Sequence, residues 1–123
     1  MAMALLLLLI VLLSGPVPVR PHAIVLESTP VHEAVLKQPP ARVVLRFNSK
    51  IERSLTRVTL ARGDGPPRPL TIGTNPTPAD DAPDRLVVPL PPLAAGVYVL
   101  RYRVLSADGH ITEGALRFSV VAS

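Results

Sequence analysis

The sequence contains no cysteine, which excludes a disulfide framework, a thiolate nucleophile and any thiolate metal site. Its only methionines are Met1 and Met3, so the rest of the chain has no thioether ligand. A metal site there must use nitrogen and oxygen. Tryptophan is absent, and the aromatic residues are two Tyr and two Phe. Each of them occupies an apolar position of a strand-like run, which leaves no aromatic platform for stacking nucleic-acid bases. There is no phosphate-binding glycine loop and no nucleophile elbow. Fifteen prolines argue against long helices, because each removes a backbone donor and clashes with the preceding turn.

What is present begins with an apolar run. Met1 to Leu13 holds only Met, Ala, Leu, Ile and Val, fewer residues than the roughly 18 to 20 needed to cross a bilayer as a helix. It has the length of a signal-peptide core, and the turn-prone Ser14-Gly15-Pro16 follows it. No Lys or Arg precedes the run, and Pro21 stands directly before His22, a poor junction for signal peptidase. The expectation is export, with residues 1–21 as signal peptide and 22–123 as one domain. An uncleaved, membrane-tethering leader is the minority alternative.

The formal net charge is +4. Arg42, Arg46, Arg57, Arg101, Arg103 and Arg117 alternate with apolar residues, as on the wet faces of strands. Along the sequence they do not gather into a basic patch, so nucleic acid is excluded as a partner.

Beyond the leader the hydrophobic period is two rather than 3.6. Strands are expected at Ala23–Ser28, Arg42–Phe47, Leu55–Ala61, Pro69–Thr74, Arg85–Leu90, Val97–Ser106 and Gly114–Val121. Inward faces are Val43, Leu45 and Phe47; Thr56, Val58 and Leu60; Tyr98, Leu100, Tyr102 and Val104; and Leu116, Phe118 and Val120. Stretches 63–69 and 75–84 are loops by composition. Seven short strands with turns between them predict an all-β, antiparallel, immunoglobulin-like Greek-key sandwich. The run from Leu93 to Tyr98 has the character of a corner before a long strand. Tyr98 either anchors that turn or is an ordinary buried tyrosine.

Three histidines are present, at positions 22, 32 and 110. Asp108 and His110 sit two apart around Gly109, and in an extended segment that spacing points both side chains the same way. Imidazole with carboxylate suits Cu(II), Zn(II) or Ni(II), with copper(II) bound most tightly at a given N/O site. An isolated Asp-x-His is more often a hydrogen-bonded turn than a ligand pair. His32, in Thr29-Pro30-Val31-His32-Glu33, is expected to be a solvated turn residue, and no HExxH helix is formed there.

A longer pattern surrounds these residues. His22-Ala23-Ile24-Val25-Leu26-Glu27-Ser28-Thr29-Pro30 resembles the mature amino terminus of the CopC-type periplasmic copper-binding proteins. Leu93-x-x-Gly96-x-Tyr98, Ser106-x-Asp108-Gly109-His110-x-x-x-Gly114 and Phe118-x-Val120 resemble that family's signature. Ala34-Val35-Leu36, Pro40 and Val43-x-Leu45-x-Phe47 fit it in order between them. The resemblance implies one copper(II) ion, held by the α-amine and imidazole of His22, an oxygen of Asp108 and the imidazole of His110. It implies no ligand in Phe47-Asn48-Ser49-Lys50, where some relatives carry a glutamate, and no copper(I) site, since no methionine remains.

The implied function is non-enzymatic: a periplasmic or secreted monomer acting in copper homeostasis and resistance, which sequesters copper or delivers it to a separate membrane importer. Two alternatives remain open from the sequence. One is an immunoglobulin-like interaction module with a decayed metal site. The other is an oxidative copper enzyme, for which there is no substrate platform and no acid–base pair beyond the ligands.

Overall fold

A computed structural model describes residues 24–72 and 82–122. Eight strands run through them: β1 (Val25–Thr29), β2 (Ala34–Leu36), β3 (Arg42–Phe47), β4 (Arg57–Arg62), β5 (Arg68–Leu70), β6 (Arg85–Pro89), β7 (Gly96–Leu105) and β8 (Ile111–Val120). A short 3-10 turn, Arg53–Leu55, precedes β4. The strands form a three-stranded sheet in the order β1-β3-β6 and a five-stranded sheet in the order β2-β8-β7-β4-β5. Among the described residues no helix is long and apolar enough to cross a membrane. The expected leader lies outside the described residues, as do Gly73 and Thr74 at the end of the Pro69–Thr74 prediction.

The all-β, two-sheet reading holds, but the expected seven antiparallel strands become eight, and one pair is parallel. The addition is β2, whose three residues are too few to show a period. It joins β8 in parallel, with Ala34 opposite Phe118 and Leu36 opposite Val120.

Alternation in sequence becomes alternation in burial because successive strand residues face opposite sides of a sheet. Val43, Leu45 and Phe47 of β3 are buried, as are Leu86 and Val88 of β6. They meet Val58 and Leu60 of β4, Tyr98, Leu100 and Val104 of β7, and Leu116, Phe118 and Val120 of β8. Burying each large apolar side chain stabilises by roughly 1.5–3 kcal/mol. All four aromatics join this core. Tyr98 stacks on its register partner Phe118 at 5.6 Å, and Phe47 reaches across the two sheets to meet Tyr102 edge-on at 5.8 Å.

Tyr98 does anchor the corner before β7, since its hydroxyl donates to the Ala94 carbonyl at 2.6 Å. Tyr102 lies over its register partner Gly114, where a Cβ would stand 2.1 Å from the phenolic oxygen. Only glycine leaves room for that ring.

The β7–β8 hairpin carries the site. Its strands pair from Gly96 with Val120 to Leu105 with Ile111, which leaves Ser106 to His110 as the link at its tip. The segment after β3 braces this tip: Ile51 bridges to Ser106, and the Ala107 N–H donates to the Lys50 carbonyl at 2.9 Å.

With no disulfide to compensate, loss of a central aromatic should be costly. Phe118→Ala is expected to destabilise by about 3–5 kcal/mol, a large part of a small domain's margin. Denaturant unfolding at constant m-value checks this.

Candidate metal centre

The link Ser106–His110 is built around one buried hydroxyl. Ser106 is 2% exposed, and its Oγ lies against Asp108 Oδ1 and 3.0 Å from the His110 carbonyl oxygen. The backbone closes the same loop. Ser106 N–H donates to the His110 carbonyl and Gly109 N–H to the Ser106 carbonyl, each at 2.9 Å. Gly109 takes φ +89, a left-handed conformation that costs glycine little and other residues more. The Asp108 side chain also accepts from the His110 N–H at 3.2 Å. This is an Asx-type turn, in which a short carboxylate satisfies the backbone two residues on.

That turn sets the imidazole. His110 Nδ1 lies 3.0 Å from Asp108 Oδ2 and is buried, while the ring as a whole is 42% exposed. Nε2 is the ring nitrogen that the Asp108 carboxylate does not engage. A carboxylate on one imidazole nitrogen orients the ring and makes the other nitrogen a better metal ligand. The Ser106 contact first, then the two contacts with His110, hold the Asp108 carboxyl down at about 2. Asp108 is thus an anion in any ordinary buffer.

The structure brings Asp108 and His110 together, as their spacing predicts. His22 lies outside the described residues, and among those residues no group of three His, Asp or Glu could hold a metal. The neighbour two places on is described. Ile24 N–H donates to Asn48 Oδ1, and Asn48 N–H donates to the Ile24 carbonyl, both at 2.9 Å. A register shift between Val25 and Glu27 leaves Leu26 as the extra residue of a β-bulge, which bends the strand locally. Asn48 thus clasps the start of β1, and Lys50, two residues on, clasps Ala107. The start of β1 and the hairpin tip share one end of the sandwich.

Sequence reasoning gave no role to Ser106 or Asn48. Ser106 was visible inside the SxDGH element, though its burial was not. Asn48 lies in the Phe47–Lys50 stretch, where no ligand is expected, and its work is to hold backbone. His32 is the exposed turn residue its sequence context predicts, but it also makes a contact the sequence does not signal. Its Nδ1 accepts the Arg117 N–H at 3.0 Å, extending the edge where β2 joins β8. Beside it Glu33 receives the Arg117 guanidinium at 2.8–3.0 Å, and that contact pulls its carboxyl below the usual range. His32 is a structural residue, held by β8.

Because the folded value of Asp108, about 2, lies below its ordinary 3.8, the stabilisation it gives is complete above that ordinary value. It is lost as pH falls through about 2. Ser106→Ala removes the largest cause and should move the carboxyl back toward 3.8. The contacts with His110 should keep it from arriving there. The Asp108 carboxyl-carbon shift, followed by NMR from pH 1 to 6, measures the change.

The CopC domain family matches residues 25–121 of this chain. Copper resistance protein C of Xanthomonas campestris pv. juglandis is 32% identical over 102 residues, 80% of each chain. Among solved structures, CopC from Methylosinus trichosporium OB3b is similar at TM-score 0.70 and 31% identity, covering 82% of this chain and 95% of that one. PcoC, a methionine-rich copper resistance protein from Escherichia coli, shares the fold at TM-score 0.65 and 24% identity, over 81% and 99% of the two chains. The family match takes in every described strand and the loop that carries Asp108 and His110, and on that extent the chain belongs to the CopC family.

Proposed function

We propose that this chain is a copper(II)-binding protein of the periplasm or cell exterior that serves copper homeostasis and resistance. It holds one copper(II) ion at His22, Asp108 and His110. The observation that carries this reading is the Asp108–His110 turn: it sets carboxylate and half-exposed imidazole side by side at the end of the sandwich where Asn48 clasps Ile24. Family membership supports it, since the Xanthomonas relative is named a copper resistance protein.

Two residues of chain span at most ~7 Å, so residue 22 must lie within that distance of the clasped Ile24. Cleavage before His22 would free its α-amine, and amine with imidazole on one residue forms a chelate. With His110 Nε2 that makes three nitrogens, and the tetragonal preference of Cu(II) is served by adding an oxygen. A carboxylate oxygen has more than one lone pair. Asp108 Oδ2 can therefore meet the ion while Ser106 keeps Oδ1 in place. No methionine stands beyond Met3, which favours oxidised over reduced copper, in contrast with the methionine-rich relative. The role is that of a monomeric carrier or sequestering protein, handing copper to a separate membrane importer, and not that of a catalyst.

Intact mass spectrometry of the exported protein tests both halves of the reading. The expected mass begins at His22 and gains one copper per chain. His110→Ala should weaken copper binding at least a hundredfold, about 2.7 kcal/mol, while Asp108→Asn should cost about 10–100-fold. Undiminished binding in a variant lacking both His22 and His110 would overturn the site.

A further inference from the structure

Three of the arginines dispersed along the sequence, Arg57, Arg101 and Arg103, converge on one face of the fold. On the outer side of the five-stranded sheet, Arg57 of β4 stands directly opposite Arg103 of β7, and Thr59 opposite Arg101. Arg101 and Arg103 leave the strand on the same side, being two apart. Together with Glu113 these residues line a shallow cleft. Compensating charge is thin. Glu113, opposite Arg103 on β8, approaches it only to 3.6 Å. The side chains of Arg57 and Arg101 have no ion-pair or hydrogen-bond partner among the described residues. Like charges directly opposed across an antiparallel pair destabilise it, so the Arg57–Arg103 juxtaposition is a standing strain that an arriving carboxylate would relieve.

The same face ends in an apolar lip beside the candidate metal site. Leu55 and Ile111 are 62% and 52% exposed, and with Leu105 they line a depression shared with Arg57 and Arg103. Ile111 follows His110 directly. Exposed apolar side chains bordered by arginine are a combination found at protein interfaces.

We propose that this face docks a partner protein through an acidic segment carrying an apolar side chain, which seats the partner next to His110. Only the purpose of docking, transfer of the ion, rests on the copper reading above. A protein fits better than a lipid surface for a stated reason. Glu113 lies within the arginine row and Asp108 just beyond Ile111, so a uniformly anionic surface would press on both carboxylates. A protein surface can be patterned to avoid them, and guanidinium pairs bidentately with carboxylate.

The test uses the exported, metal-free protein, labelled with nitrogen-15 and titrated with the synthetic peptide Glu-Glu-Leu-Leu-Glu-Glu. Amide shifts should concentrate on Leu55, Arg57, Arg101, Arg103 and Ile111, and they should fade at 1 M salt, where screening acts within ~3 Å. The double variant Arg57→Glu, Arg101→Glu should weaken binding at least tenfold. If that variant proves unfolded by its melting curve, the milder pair Arg57→Gln, Arg101→Gln decides, with a smaller loss expected. Copper uptake, read in parallel by intact mass, should be unchanged in the variants. A wild type that binds the peptide but takes up no copper when copper is added would sink the copper reading and leave the docking surface standing. Equal shifts at Arg42, Arg46 and Arg85 on the other sheet would reduce the effect to net charge and overturn the proposal. So would the absence of shifts, or tighter binding of the same face to phosphatidylglycerol vesicles than to the peptide.

Discussion

The register of β7 against β8 governs more of this molecule than any other pairing. Leu100 faces Leu116 and Tyr98 faces Phe118, so one side of the hairpin supplies the centre of the core. The intervening residues, Arg101, Arg103, Glu113 and Arg117, necessarily face water. Because the side-chain period in a strand is two, a slip of one residue would exchange the two sets. Over the two strands it would bury three arginines and expose three aromatics, Tyr98, Tyr102 and Phe118, an outcome no local adjustment could offset. Tyr102 over Gly114 adds a steric check on the same register, since a residue with a Cβ in that place would meet the phenol.

The tip of this hairpin inherits its position from that register. With Leu105 fixed opposite Ile111, five residues must close the chain, and they do so around the buried Ser106 hydroxyl. The hydroxyl has one proton and two acceptors near it, the Asp108 carboxylate and the His110 carbonyl. It holds Asp108 as an anion, and Asp108 in turn holds the His110 ring. Each group is oriented by one nearer the core, so the remaining ring nitrogen stands on a rigid base. That is the arrangement a metal ligand requires.

Much of this was legible in the sequence. The inward faces of β3, β4, β7 and β8 follow from strict alternation, and Asp108 and His110 from their two-residue spacing. What was not legible has physical reasons. β2 is three residues long, too short to carry a period, and is recognised only by its partner β8. Asn48 acts through hydrogen bonds to a residue far from it in sequence, Ile24, and nothing in its own neighbourhood signals that. The burial of Ser106 arises from the Ile51 bridge, again a contact between distant segments. The arginine face is the same case. Arg57 and Arg101 are far apart along the chain and become neighbours only when β4 pairs with β7.

The two sheets also bear on what binding at this end would do. β1 belongs to the three-stranded sheet and the hairpin to the five-stranded one. On the proposed ligand set, one ion would join His22, just before β1, to Asp108 and His110 on the opposite sheet. A chain without disulfides has no covalent tie between its layers, and here the metal would supply a reversible one. Any ligand that binds only the folded state stabilises it in proportion to the logarithm of its occupancy ratio. Here the copper would therefore act on the packing of the sandwich as well as at its rim. The hard nitrogen and oxygen donors that the absence of cysteine and methionine imposes are, on this view, also what keeps that tie reversible in acid, since the nitrogen donors must lose a proton to bind.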